Sequence, residues 1–298
     1  MSDTKMKNLG RLALFTAALM WGISFVVMKS VLDNIPTLYI LAIRFLGATL
    51  ILLPVCARKL KYFDKQYLIG GILMGAVMLI AYIFQTYGLE RTTPGKNAFL
   101  TSTYCVIVPF LFWLMHKKKP DKYNAIAATV CIIGIGFISL DNNLSIGTGD
   151  LLTIICGFFY ALHIVLTTRY IAGRDPVMLA MTQFFTSGVL ALVFAFIFET
   201  PPASLAAPDL WSMAYLTVVC TAGCIVMQVF GQKYTPPSQA AVIMTLESVF
   251  GALSSVILFS EILTPRLILG FSLSFIAVLI SETKLDFLKK KKVVSNKP

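Results

Sequence analysis

Few side chains in this sequence could do chemistry in an apolar setting, and Glu247 stands out among them. It lies near the middle of a largely apolar run, Ser238 to Phe259, opened by Pro236-Pro237 and closed by Ser260-Glu261. That run is about the length a helix needs to cross a bilayer. A carboxylate at such depth is costly unless it faces a protein interior or a wet cavity, where it normally has a task. Arg44 and His163 also fall inside apolar runs, and Lys29 closes one. A guanidinium does not readily deprotonate, so Arg44 must pair, reach water, or meet a substrate carboxylate. Lys29, nearer an end, can snorkel to the surface. Glu247 and His163 are the pair able to exchange a proton near neutral pH if they approach.

Around these charges stand neutral polar groups and aromatic rings. Gln85, Gln183, Gln228 and Ser24 supply hydrogen-bonding capacity, and Trp21, Tyr82, Tyr104 and Tyr160 could wall a cavity, stacking on flat substrates or attracting cations. No phosphate-binding loop, paired catalytic carboxylates or nucleophile–base arrangement is evident, so no enzymatic role, cofactor or metal is expected. Cys220 and Cys224 share a helix face, but without histidine or further cysteine beside them they read as small packing residues.

The elements that position these residues follow from composition. The chain has 298 residues, 57 % hydrophobic and only 13 % charged; a soluble domain of this length needs far more polar surface. Apolar windows separated by Pro, Gly, Asn and charged clusters predict ten spans, at 9–28, 37–56, 67–88, 95–115, 122–140, 150–170, 177–198, 209–231, 237–259 and 264–281. The first is too long to be a signal peptide and lacks a small-residue cleavage site.

The net charge of +11 does not point to nucleic acid. With ten alternating spans the Lys/Arg clusters near residues 5–11, 58–65, 117–122, 169–174, 233 and 284–292 all fall on one side. Lys29, Arg91, Lys96 and Arg266 fall on the other. That asymmetry predicts both termini in the cytoplasm of a cell-membrane protein. The tail, 282–298, reads as a topology anchor with possible contact to anionic lipid.

The two halves resemble each other. Trp21-Gly22-Ile23-Ser24 aligns with Tyr160-Ala161-Leu162-His163 at an offset of 139. Thr93-Pro94-Gly95-Lys96 aligns with Pro236-Pro237-Ser238-Gln239 at an offset of 143, which also pairs Tyr104 with Glu247. Units of five spans, 9–140 and 150–281, imply an inverted pair with a shared site near the midplane. Because Glu247 and His163 each occur in one half only, recognition at that site is expected to be asymmetric.

With Ser260-Glu261-Ile262-Leu263-Thr264 leading to Gly270, these features resemble the EamA-type drug/metabolite transporter superfamily over about 9 to 281. The resemblance implies an all-α, ten-helix exporter or exchanger of amino acids and related small metabolites. One departure is clear: the first half carries Lys117-Lys118 where the second has Ser260-Glu261. An organic-cation transporter is the alternative substrate class, and an intramembrane lipid-handling enzyme the alternative outside transport. Gly71-x-x-x-Gly75 and the small residues of 251–255 predict close helix approach. Pro109 predicts a kink beside Tyr104.

Overall fold

The computed structural model describes residues 3–117, 119–140, 145–202, 206–235 and 243–285. Every regular element among them is helical. Nine helices among the described residues are long and apolar enough to cross a membrane. A shorter one, Leu246–Phe259, is the described part of the ninth expected span; residues 236–242, where that span begins, lie outside the described residues.

The helices begin and end where the sequence supplies caps. Asp64 accepts from the amides of Gln66 and Tyr67, and Asp175 accepts from those of Val177 and Met178. Thr93 and Thr264 cap helices that open with Pro94 and Pro265, a position where a missing N–H costs nothing. Lys117 and Ser260, equivalent at the 143-residue offset, both end their helices in the left-handed conformation, with φ of 60° and 56°.

Packing follows the internal repeat. The third helix (Lys65–Glu90) packs on the sixth (Thr148–Tyr170), as the first (Asp3–Val31) packs on the eighth span, which starts at Ala207. The first also packs on the ninth, as the sixth packs on the two pieces of the fourth. Second with seventh, fourth with ninth and fifth with tenth pair across the axis that exchanges the halves. An odd number of crossings per half puts that axis in the membrane plane. The fold is therefore an all-α membrane bundle of two inverted five-helix repeats.

Small residues make these contacts close. A Cβ on Gly71 would sit 2.8 Å from Thr182, and one on Gly251 would sit 2.4 Å from Ala98, so both expected small-residue faces are contact faces. The largest buried cluster joins the second, third and seventh helices around Phe45, Met74, Leu79 and Leu179. Large apolar side chains meanwhile cover the perimeter: Leu50, Phe196, Phe198 and Ile257 are each more than 60 % exposed. Such a surface is stable facing lipid, not water.

Three expected spans are not simple helices. The fourth is broken at Ser102-Thr103 into Pro94–Thr101 and Tyr104–His116. Both hydroxyls bond back three residues, to the carbonyls of Phe99 and Leu100, which competes with the helical ladder. The ninth breaks at Thr245, the equivalent of Ser102. The eighth runs Ala207–Ala214, a π-helical stretch Tyr215–Gly223, then Cys224–Tyr234. Pro109 lies within the second piece of the fourth span, not at its break. Proline there removes the amide that would bond the carbonyl of Cys105, and the Ser281 hydroxyl donates to that carbonyl at 3.3 Å instead.

Candidate functional site

The broken helices set the position of the acid. Glu247 lies in the first turn of Leu246–Phe259, not at mid-helix as its place in the apolar run implied. Its symmetry partner Tyr104 opens the second piece of the fourth span. The N-terminal turn of a helix carries the positive end of the backbone dipole, which favours a carboxylate. Glu247 is half-buried and has no hydrogen bond or ion pair among the described residues. Tyr82, Tyr104, Cys220 and Cys224, from the third, fourth and eighth spans, lie within electrostatic reach of it. The carboxylate therefore looks inward, between the halves.

Arg44 looks into the same region. It is only 5 % exposed, yet pairs with no carboxylate among the described residues. Its Nε and Nη2 each donate to Thr221 Oγ1 at 3.3 Å, Nη1 lies 3.9 Å from Met28 Sδ, and the guanidinium lies 5.3 Å from the centre of the Tyr82 ring. A hydroxyl, a thioether and a ring face leave its charge without a counter-ion. Tyr82 and Cys220 are each within electrostatic reach of both Arg44 and Glu247.

The π-helical stretch builds this corner. The Thr221 hydroxyl donates to the carbonyl of Leu216, five residues back, at 2.7 Å, which leaves its lone pairs toward Arg44. The Cys224 amide still bonds Val219 in the five-residue register. A return to four-residue spacing passes over one carbonyl, and that of Cys220, next in line, accepts Trp21 Nε1 at 2.7 Å. Trp21 is thereby tied to the eighth span, and its repeat equivalent Tyr160 is tied to the third, its hydroxyl donating to Gln85 Oε1 at 2.9 Å.

Aromatic rings line the space. Tyr160 lies 5.5 Å from Tyr82 and 6.2 Å from Tyr104, centre to centre, and Tyr82 meets Phe45 edge-on at 5.0 Å. Trp21, Tyr82, Tyr104 and Tyr160 are half-buried although they come from interior faces of different helices. Gln85 extends the polar lining, donating to Thr101 Oγ1 at 3.1 Å.

Other expected site residues lie elsewhere. His163 Nε2 is 2.7 Å from Gln183 Oε1, and no described contact joins it to Glu247. Gln228 points to Met244 Sδ at 3.7 Å, and Ser24 bonds its own helix at the Trp21 carbonyl. The Lys29 ammonium donates to the carbonyls of Leu89, Glu90 and Thr92 at 2.6–3.2 Å, where the third helix ends. Thr221 and Gln85's partner Thr101 were not singled out by sequence; the hydroxyl-rich run at 101–103 and Thr245 were the available signal for the breaks.

Similarity to known proteins agrees with this architecture. The sequence profile described as the EamA-like transporter family matches residues 8–140 and 147–283. The chain belongs to the EamA-like transporter family. A protein of Archaeoglobus fulgidus named as an uncharacterized transporter is 34 % identical over 269 residues, covering 90 % of this chain and 84 % of its own. The uncharacterized transporter YoaV of Bacillus subtilis is 24 % identical, covering 87 % and 91 %. A protein known from a crystal structure, 13 % identical, superposes with a TM-score of 0.68 over 94 % of this chain and 98 % of its own, a likeness of fold. This EamA-family chain is thus a multi-pass membrane transporter, with Arg44 and Glu247 at the interface of its two repeats.

Proposed function

We propose that this chain is a secondary transporter of amino acids, exporting or exchanging them by alternating access, with both termini in the cytoplasm of the cell membrane. One observation carries the reading: two opposite charges, Arg44 and Glu247, share one interior region, and neither has an ionic partner among the described residues. Uncompensated charges at that depth are expensive. A zwitterion bearing one carboxylate and one ammonium would neutralise both at once, and the tyrosines and Trp21 would surround its side chain. Gln85 and Thr101 add neutral donors and acceptors to the same wall.

The distribution of basic residues supports the topology, since Lys/Arg clusters gather on the side assigned to the cytoplasm. An organic cation is the second reading, supported by Tyr82 and Tyr104 within reach of the carboxylate and by Tyr160 packed beside them. In that reading Arg44 is a structural cation and not a ligand.

The deciding experiment is a flux screen in proteoliposomes over amino acids and amines, with and without an imposed proton gradient. Saturable movement of amino acids that is lost in both Arg44→Gln and Glu247→Gln supports the zwitterion. Movement of amines alone, unaffected by Arg44→Gln, would replace it with the cation reading.

A further inference from the structure

The end of the bundle opposite the basic clusters is held shut by carboxylates of the second repeat that grip one turn of the first. Glu261 follows the ninth helix and is buried. Its Oε1 accepts from the Thr93 hydroxyl, and its Oε2 accepts from the amide of Gly95 at 3.1 Å and from the Ser255 hydroxyl. Gly95 is there for closeness, since an added Cβ would lie 2.5 Å from Oε2. Beside it Asp150, at the start of the sixth helix, accepts from the Thr92 hydroxyl and from Lys96 Nζ at 3.3 Å. The turn Thr92–Lys96 is therefore held through four of its residues by two carboxylates of the other half.

This turn is also the wall of a cleft. A recess of about 530 Å³ opens at this end, lined by Arg91, Thr92, Thr93, Lys96, Ser139 and Asp150 among others. Ser139 Oγ is buried there with no hydrogen-bond partner among the described residues. Asp150 lines this recess, and Glu261 holds the Thr93 side of the same turn.

In sequence the opposite end does not repeat this chemistry. At the 143-residue offset Glu261 corresponds to Lys118, a side chain with no acceptor, and Thr93 corresponds to Pro236, which has no hydroxyl. The other ties do recur: Glu199, accepting from the amide of Leu38, is mirrored by Lys59 with Asp175, and Arg266 with the Phe137 carbonyl is mirrored by Lys284 with Asp121. In sequence the two ends thus differ at Glu261, at Thr93, and at Asp150, which the 139-residue offset places opposite Arg11.

We infer that Glu261 is the latch of a gate formed by the Thr92–Lys96 turn, and that its hydrogen bonds hold the resting protein closed at this end. The inference rests on the alternating-access reading, but its test needs neither substrate nor flux. Thr93 and Gly95 are the two donors that cross the gate, and removing the charge they share destabilises the closed state relative to the open one, so the open population rises.

Spin labels on cysteines introduced at Arg91 and Ile262, both exposed and on either side of the latch, report the separation by electron–electron distance measurement in nanodiscs. Glu261→Gln is expected to raise the long-distance population about tenfold. Thr93→Val should do the same to a smaller degree, and Thr93→Ser should restore the closed distribution. A distribution unchanged by both Glu261→Gln and Thr93→Val would overturn the latch. Should Glu261→Gln fail to fold, the contrast between Thr93→Val and Thr93→Ser decides alone. A failed flux screen with a shifted distance distribution would count against the substrate reading and leave the latch intact.

Discussion

Tyr104 and Glu247 occupy the same place in opposite halves of the molecule, each in the first turn after a break in its span. Both act on the space that Tyr82 and Tyr160 face. One half thus offers a phenol where the other offers a carboxylate. Repeat symmetry delivers the two helix N-termini to one region, and the substitution of residue type makes that region asymmetric. Broken spans with inward half-helix N-termini are how membrane proteins place polar backbone against a substrate.

Glu247→Gln should keep the fold, since the side chain has no partner to lose among the described residues, while transport falls by about 10- to 100-fold, the loss of one charge-assisted contact. Initial flux and the elution profile of the purified variant check both halves of this statement. Wild-type flux in the variant would remove Glu247 from the path.

Arg44 predicts a difference between substrates. Arg44→Lys keeps the charge but loses the fork that spans Thr221 and Tyr82. Affinity for carboxylate-bearing substrates should fall about tenfold or more, with amines little affected. Competition assays with matched acids and amines measure the ratio, and equal losses for both would reject a carboxylate-binding role.

Trp21→Phe keeps an aromatic ring but removes the bond to the Cys220 carbonyl in the π-helical stretch. The cost is about 1 kcal/mol of stability. Trp21→Ala additionally removes the wall, and bulky or aromatic substrates should suffer more than small ones. A substrate profile that keeps its proportions in Trp21→Ala would place the ring outside the path.

Ser281→Ala should destabilise by about 1–3 kcal/mol, because the Cys105 carbonyl loses the donor that replaces the amide missing at Pro109. Pairing it with Pro109→Ala, which restores an amide, should recover part of the loss. Thermal unfolding of the single and double variants in detergent tests the compensation.

The tie between Lys284 and Asp121 gives a pH dependence outside the membrane. Lys284 holds the Asp121 carboxyl below its ordinary range, with the amides of Asn124 and Tyr123 adding to the effect. A depressed carboxyl contributes stability above its unfolded value, near pH 4, and loses it as pH falls through the lowered folded value. The exposed pair contributes at most about 1 kcal/mol. Lys284→Ala should therefore narrow the gap in melting temperature between pH 7 and pH 3, and an unchanged gap would dismiss the pair as a contributor.

Much of this molecule was legible in the order of its residues. Apolar runs of bilayer length, the one-sided distribution of Lys and Arg, and the alignment of Trp21 with Tyr160 and of Tyr104 with Glu247 imply an inverted pair of five-helix units. These are matters of composition and period, which hydropathy reports without tertiary information. Only the folded chain decided where helices break, that Lys29 is bound by carbonyls at the end of the third helix, and that Thr221 meets Arg44 through a π-helical register. The reason is physical. In a uniformly apolar span the sequence carries almost no signal about which backbone groups leave the ladder, because that choice depends on the donors that neighbouring helices bring to within hydrogen-bonding distance.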